Sequence, residues 1–266
     1  MNPILFAVIL VAGIGLVLGL GLAIASKVMA VPVDEKAEKI QEVLPGANCG
    51  ACGFSGCAGY AAALSSGKTT QTNLCAPGGS AAAAEVAKIM GVEAQSVLPT
   101  AAVVLCQGNT ANAGDKMVYK GVKSCRMATQ LFGGAKECTY GCLGLGDCMD
   151  ACEYDAIHIC DGVARISPIA CHACKACVKA CPKGVIKMLP LGVSKAAVLC
   201  NNKEKGATAR KHCKAACIGC MKCMKACEYG AVTVSNSVAS VDFEKCVGCG
   251  KCHEVCPVGC IELIKL

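Results

Sequence analysis

The chain of 266 residues is poor in the side chains that usually build a large core or a catalytic centre. It has no tryptophan, 3% aromatic residues and four histidines. So few large aromatic side chains argue against a large conventional hydrophobic core. No convincing nucleotide-binding loop is present, since Gly13-x-Gly15 lies inside an apolar run instead of following a strand. The histidines are scattered along the sequence: His158, His172, His212 and His253.

Cysteine, by contrast, is abundant, with 26 residues. In a short secreted protein this content would suggest disulfides. Here the cysteines stand in tight C-x2-C groups, which are better placed to share a metal. Zinc sites also use C-x2-C pairs, but zinc gives no reason for a third cysteine two residues on or for a fourth followed by proline. The pattern therefore favours iron–sulfur clusters over disulfides and over zinc.

Two cysteine-rich cassettes follow one another and superimpose with a shift of 75 positions. Each ends in a C-x2-C-x2-C-x3-C-P run, at Cys171–Pro182 and again at Cys246–Pro257. This run is the bacterial [4Fe–4S] pattern, in which the fourth cysteine ligates the other cluster of a pair. The repeat therefore predicts two ferredoxin-like two-cluster modules in tandem.

The repeat also predicts the ligands of these four clusters. In the first module one cluster is expected on Cys152, Cys171, Cys174 and Cys177. Its partner lacks a middle ligand, because Leu145 stands where the second module has Cys220, and Cys138 is the natural replacement. The partner set is then Cys138, Cys142, Cys148 and Cys181. The second module gives Cys217, Cys220, Cys223 and Cys256 for one cluster and Cys227, Cys246, Cys249 and Cys252 for the other.

A β-hairpin is predicted between the two cysteine runs of each module. In the first, Asp161-Gly162 separates two alternating apolar runs, which is a strong hairpin signal. The equivalent segment of the second module is 231–241. With short helical turns after the ligand runs, the predicted fold class is α+β.

A separate one-cluster site precedes the two modules. Its cysteines follow the spacing C-x2-C-x4-C-x17-C, which supplies four thiolates for one cubane. The glycines at 50, 53 and 56 allow backbone conformations that other residues avoid. A short helix is expected over 58–64, between the third and fourth ligands. The predicted ligands are Cys49, Cys52, Cys57 and Cys75.

The N-terminal segment is predicted to be a membrane anchor. Ile4 to Ala25 is an uncharged run of 22 residues, about 33 Å as a helix and enough to cross a bilayer. Lysines follow it and none precedes it, which places the downstream chain in the cytoplasm, at the inner face of a single-pass anchor. A cleaved signal peptide typically has a basic N-terminal region and a shorter apolar stretch, so the anchor is the favoured interpretation.

The expected organisation is an anchor (1–26), a tether (27–42), a single-cluster domain (43–78), a spacer without chemistry (79–124) and the two modules (125–195 and 196–266). The spacer is predicted to contain an Ala-rich helix and a strand. Six cysteines remain after five clusters: Cys106, Cys125, Cys160, Cys200, Cys213 and Cys260. Two interpretations stay open for them. They are unligated thiols, or four of them hold a sixth cluster: Cys106, Cys125, Cys200 and Cys213.

The formal charge of +7 does not indicate nucleic-acid binding. A [4Fe–4S] core with four thiolates carries about −2 when oxidised, so five clusters would bring the total to about −3. A nucleic-acid protein would instead show a clustered basic stripe.

Taken together, the anchor, the run from Asn48 to Cys57 with Cys75, the run from Tyr140 to Cys148 and the cassettes resemble the B subunit of Rnf-type ion-translocating electron transport complexes. The resemblance covers essentially the whole chain. It implies an electron-relay protein that takes electrons from soluble ferredoxin and passes them to membrane partners and ultimately to NAD. Flavins and the nicotinamide site would lie on other subunits. A membrane-anchored donor to a separate reductase or corrinoid protein is the alternative.

Overall fold

An apolar helix, α1 (Pro3–Val28), opens the structure, a computed structural model that describes residues 3–28, 34–96, 98–192 and 194–264. Its segment Ile9–Lys27 has a mean hydropathy of 2.4, and none of that segment is buried against the rest of the protein. At 1.5 Å per residue the 26 residues of α1 extend about 39 Å, more than the hydrocarbon core of a bilayer. The predicted apolar helix is confirmed, and its length and composition suffice for a membrane span.

Three helices pack together around the first cysteine group. They are α2 (Glu35–Val43), α3 (Cys57–Ser65) and α4 (Gly79–Met90). Ile40, Tyr60, Leu64 and Val86 form their shared core, and all four are buried. The Asp34 carboxylate caps α2 by accepting hydrogen bonds from the N–H groups of residues 36 and 37. The segment expected to be a tether, and the helix expected in the spacer, therefore pack into one small domain with the first cysteine group.

The first repeat unit, 100–190, contains short helices and two antiparallel strand pairs. Its elements are β1 (Thr100–Val104), α5 (Cys125–Gln130), α6 (Asp147–Asp150), β2 (Ile157–Cys160), β3 (Val163–Ile166), α7 (Ala176–Ala180) and β4 (Ile186–Pro190). Strands β2 and β3 form the predicted hairpin. Strand β1 pairs with β4, Thr100 opposite Pro190 and Val104 opposite Ile186. The strand placed in the spacer thus belongs to the first repeat unit, because it supplies the partner for the last strand of that unit.

The second repeat unit, 195–264, has the same plan. Its elements are β5 (Lys195–Val198), α8 (Gly206–His212), α9 (Lys222–Lys225), β6 (Val232–Ser235), β7 (Val238–Val241), α10 (Lys251–Glu254) and β8 (Ile261–Ile264). The hairpin is β6–β7, and β5 pairs with β8. A hydrogen bond after each first strand is equivalent in the two units. Leu105 N donates to Val185 O at 2.7 Å, and Leu199 N donates to Cys260 O at 2.7 Å.

A glycine in each unit lets the ligand loop lie directly against the hairpin turn. Gly144 has a φ of +70°, and a Cβ at this position would lie 2.3 Å from Gly162 O. Gly219, its equivalent 75 positions later, has a φ of +65° and would place a Cβ 3.0 Å from Ser237 O. No side chain fits at Gly144 without moving backbone, so glycine is required there.

The two repeat units touch through the loop that follows β1. Gln107 N donates to Leu199 O at 3.2 Å, and Lys214 N donates to Asn112 O at 2.8 Å. Ala113 and Cys213 form an isolated antiparallel bridge. This loop therefore places residues of the first unit against the start of the second.

Candidate metal centres

The first cysteine group lies on a loop that its own asparagine holds in shape. Asn48 Oδ1 accepts a hydrogen bond from Cys57 N at 2.9 Å, and Asn48 Nδ2 donates to Gly46 O at 3.1 Å. Cys75 lies in the loop between α3 and α4. Burial raises the pKa of the Cys75 thiol, and the nearby thiols of Cys57, Cys52 and Cys49 raise it further. The structure thus brings together the four cysteines that the spacing predicts.

A second group contains Cys152, Cys171, Cys174 and Cys177. Burial raises the pKa of Cys177 to about 11, and the thiols of Cys171, Cys174 and Cys152 add to that rise. Ala102 N, on β1, donates to Cys171 Sγ at 3.4 Å. The same four cysteines were predicted to share a cluster, and the structure places them together.

A third group lines a cavity in the first repeat unit. Its cysteines are Cys125, Cys142, Cys148 and Cys181, and Cys138 is not among the residues that line it. Cys125 is held there because its backbone N–H donates to Asp147 Oδ1 at 2.7 Å. The prediction fills the gap that the repeat leaves at Leu145 with Cys138. In the structure α5 carries Cys125 to this cavity, and Cys125 packs in one cluster with Leu145, where the repeat has lost a cysteine.

The second repeat unit has two cavities lined by cysteines. One is lined by Cys217, Cys220, Cys223 and Cys256, together with Cys260. The other is lined by Cys227, Cys246, Cys249 and Cys252. Cys260 Sγ lies 3.7 Å from Cys256 Sγ. A hydrogen bond from the Cys260 thiol lowers the pKa of Cys217. Both predicted sets are brought together, and Cys260 is an additional sulfur beside the first.

The thiols of these groups do not converge tightly on one point in the described part of the chain. Among the residues that the structure describes, no three His, Cys, Asp or Glu side chains converge closely enough to hold one metal ion. A zinc ion would draw four sulfurs to about 2.3 Å from one point, whereas a cubane places each thiolate on a different iron atom. Backbone N–H groups also point at the sulfurs, as at Cys171 Sγ and at Cys142 Sγ, which accepts from Ala164 N at 3.5 Å. Such N–H donors are one of the means by which proteins set cluster potentials.

The first group lies against the second, although they are far apart in sequence. Lys179 Nζ donates to Cys49 O at 3.1 Å, and Lys175 Nζ donates to Ala51 O at 3.2 Å. Beside them the rings of Tyr154 and His172 stack with centroids 4.1 Å apart. The domain next to the anchor is therefore joined to the first repeat unit at its cysteine runs.

Thiol groups of this kind, on short strand pairs and helical turns, define an iron–sulfur protein with ferredoxin-type sites. Family models agree. Residues 44–77 match a putative Fe-S cluster family, and residues 211–263 match a 4Fe-4S dicluster domain.

The chain also matches curated relatives over most of its length. It is 44% identical to the B subunit of the Na(+)-translocating ferredoxin:NAD(+) oxidoreductase complex of Acetobacterium woodii, over 92% of this chain and 73% of the relative. It is 39% identical to the B subunit of the proton-translocating complex of Clostridium ljungdahlii, over 91% and 85%. It is 37% identical to the B subunit of the ion-translocating oxidoreductase complex of Methanosarcina acetivorans, over 90% and 90%. The chain belongs to this family of B subunits of ion-translocating oxidoreductase complexes.

Proposed function

We propose that this chain is the electron relay of a membrane-bound ion-translocating complex and accepts electrons from reduced ferredoxin. Its relatives are named as subunits of ferredoxin:NAD(+) oxidoreductases that translocate sodium ions or protons. The described part of the chain includes cysteine groups that suit redox clusters. Flavin and nicotinamide chemistry then belongs to partner subunits, and this chain supplies one-electron transfer between them and soluble ferredoxin.

The ligand sets of the proposal follow the cysteine groups of the structure. Four sets are those that the sequence predicts, with Cys49, Cys152, Cys217 and Cys227 as one member of each. In the fifth, Cys125 replaces Cys138 beside Cys142. Each set supplies four thiolates, the complement of one [4Fe–4S] cluster, and the chain then carries two ferredoxin-like two-cluster units in tandem.

The contact between Lys179 and Cys49 is the observation that carries the relay. It joins the cysteine group next to the anchor to the first repeat unit and so supports electron transfer between the cluster sites proposed there. Electrons that enter the repeat units can then reach the domain that α1 tethers to the membrane. We propose that α1 crosses the membrane once and that all the cluster sites face the cytoplasm, since lysines follow the apolar segment.

Mixing the anaerobically purified protein with reduced ferredoxin tests the relay. We expect the cluster absorbance to bleach in proportion to the ferredoxin added, until every cluster that ferredoxin can reach has taken one electron. Bleaching by dithionite without bleaching by ferredoxin would contradict the proposed donor. Protease treatment of inverted and right-side-out vesicles tests sidedness, and digestion of the cluster domains is expected in inverted vesicles alone.

A further inference from the structure

Four cysteines that the five proposed sites leave unused lie together where the two repeat units meet. They are Cys106, Cys138, Cys200 and Cys213. A Cβ added at Gly108 would lie 3.3 Å from Cys106 Sγ and 3.9 Å from Cys213 Sγ. A Cβ added at Gly141 would lie 3.4 Å from Cys106 Sγ and 3.5 Å from Cys138 Sγ. Three of the four sulfurs therefore surround one small region.

Cys200 joins this group from the second repeat unit. Asn202, two residues after Cys200, donates from its side chain to Cys138 Sγ at 3.6 Å. Cys200 also packs against the buried cluster that contains Ala113 and Cys213.

The group repeats the internal symmetry of the chain, because each unit supplies an equivalent pair. Cys106 and Cys200 each follow the leucine that hydrogen-bonds to the segment before the last strand of its unit. Cys142 N donates to Cys106 Sγ at 3.3 Å, and Cys217 N, 75 positions later, donates to Cys200 Sγ at 3.3 Å. The shift of 75 also relates Cys138 to Cys213. Equivalent segments of the two repeat units thus each contribute two thiols to the junction.

The surroundings of the four sulfurs include buried polar side chains, which are few in the described part of the protein. Among the described residues, the buried polar or charged side chains are Thr72, Lys136 and Asn202. The last two lie at this junction. Lys136 Nζ donates to Gly108 O at 2.6 Å and to Gly162 O at 2.7 Å. A buried ammonium is costly unless a negative charge lies near it, and a cluster with four thiolates supplies such a charge.

We propose that Cys106, Cys138, Cys200 and Cys213 bind a sixth [4Fe–4S] cluster, which bridges the two repeat units. The proposal rests on the proposed function, because a bridge needs clusters on both sides. The proposed neighbours flank it: Cys142 belongs to one neighbouring site and Cys217 to the other, and each donates its N–H to a sulfur of the bridge. One electron arriving from either neighbour reduces the bridge, and its transfer to the other neighbour reoxidises it. No proton or bond need move.

This set differs by one residue from the sixth cluster that the sequence suggests. There Cys125 stood with Cys106, Cys200 and Cys213. In the structure Cys125 lines the cavity of Cys142, and Cys138 takes its place at the junction. Cys125 and Cys138 thus trade places: each belongs to the group in which the sequence predicts the other.

Iron and sulfide analysis of the full-length protein, purified anaerobically, tests the bridge. The matched variants are Cys200→Ala/Cys213→Ala and, as control, Cys160→Ala, whose thiol is exposed on β2. We expect about 24 iron atoms per chain in the wild type and in the control, and about 20 in the double variant. After addition of reduced ferredoxin, we also expect electrons to pass between the repeat units at least tenfold more slowly in the double variant.

Native mass spectrometry of the wild type gives the answer even if the double variant fails to fold. Six clusters add six increments of about 350 Da, and five increments would overturn the proposal. Zinc in place of iron at the junction would overturn it as well. Failure of the bridge alone leaves about 20 iron atoms and full bleaching by ferredoxin, whereas failure of the proposed function removes the bleaching itself.

Discussion

Replacing Lys136 with glutamine should lower the reduction potentials of the clusters beside it. Lys136 is buried, with 6% of its surface exposed, and its ammonium lies against the carbonyls of Gly108 and Gly162. Reduction adds one negative charge to a cluster, so a fixed positive charge nearby stabilises the reduced form. Glutamine removes the charge but keeps a donor for one of the two carbonyls.

The size of the effect follows from Coulomb's law. At a separation of about 10 Å and an effective dielectric constant of about 20, two unit charges interact by roughly 1.7 kcal/mol. For a one-electron couple this corresponds to about 70 mV. Lys136 acts to lower the pKa of Cys142, a proposed ligand of the neighbouring site, and of Cys213, a proposed ligand of the bridge. Two components of a redox titration should therefore move downward.

A potentiometric titration followed by electron paramagnetic resonance measures these shifts. The control is Lys88→Gln, which removes the same charge from an exposed position on α4. We expect two components to fall by about 70 mV in the Lys136 variant and none to move in the control. Shifts below about 15 mV, or shifts to higher potential, would refute the reasoning; a single shifted component would show that the bridge is empty.

Three further changes test the site and the fold. Cys125→Ala should remove four iron atoms, and adding Leu145→Cys, which restores the cysteine of the second repeat unit, should return them in an iron assay; unchanged iron in the single variant would contradict the assignment. Gly144→Ala should lower the midpoint of thermal unfolding by several degrees, because the added Cβ would sit at a positive φ and clash with the backbone of Gly162. Gly184→Ala, whose φ is also positive but whose Cβ meets nothing, should lower the midpoint less, and equal losses would rule out the clash. A chain without residues 1–28 should fractionate as a soluble protein with its iron content intact, and loss of iron would show that α1 supports the clusters.

The grouping of most cysteines could be predicted from the sequence because closely spaced cysteines fall on one loop. A run such as Cys246–Pro257 places three thiols on one loop, and the hairpin that follows from Asp161-Gly162 is equally local. Tertiary packing of β1 against β4 could not be predicted in this way. Strand β1 lies more than eighty residues before its partner, and the element that precedes it in the sequence is an Ala-rich helix.

The proposed ligand set replaces Cys138 with Cys125 for a related physical reason. The repeat showed that a ligand was missing at Leu145, but it did not show which thiol fills the gap. The prediction fills it with Cys138, four residues before Cys142. Helix α5 instead delivers Cys125, held by the hydrogen bond of its N–H to Asp147, and this contact spans 22 residues. Spacing predicts ligands on one loop better than a ligand that arrives from another element.

The reassignment of Cys125 and the bridging cluster depend on each other. If Cys138 completed the site of Cys142, the junction would retain three thiols and could not supply four to a cubane. If Cys125 completes it, as the cavity indicates, Cys138 is free to pair with Cys106 opposite the pair from the second repeat unit. Cys125→Ala and Cys138→Ala must then each remove one cluster, and the two lost signals must differ. Loss of the same signal in both variants would place Cys125 and Cys138 on one cluster and leave the two repeat units without a bridge.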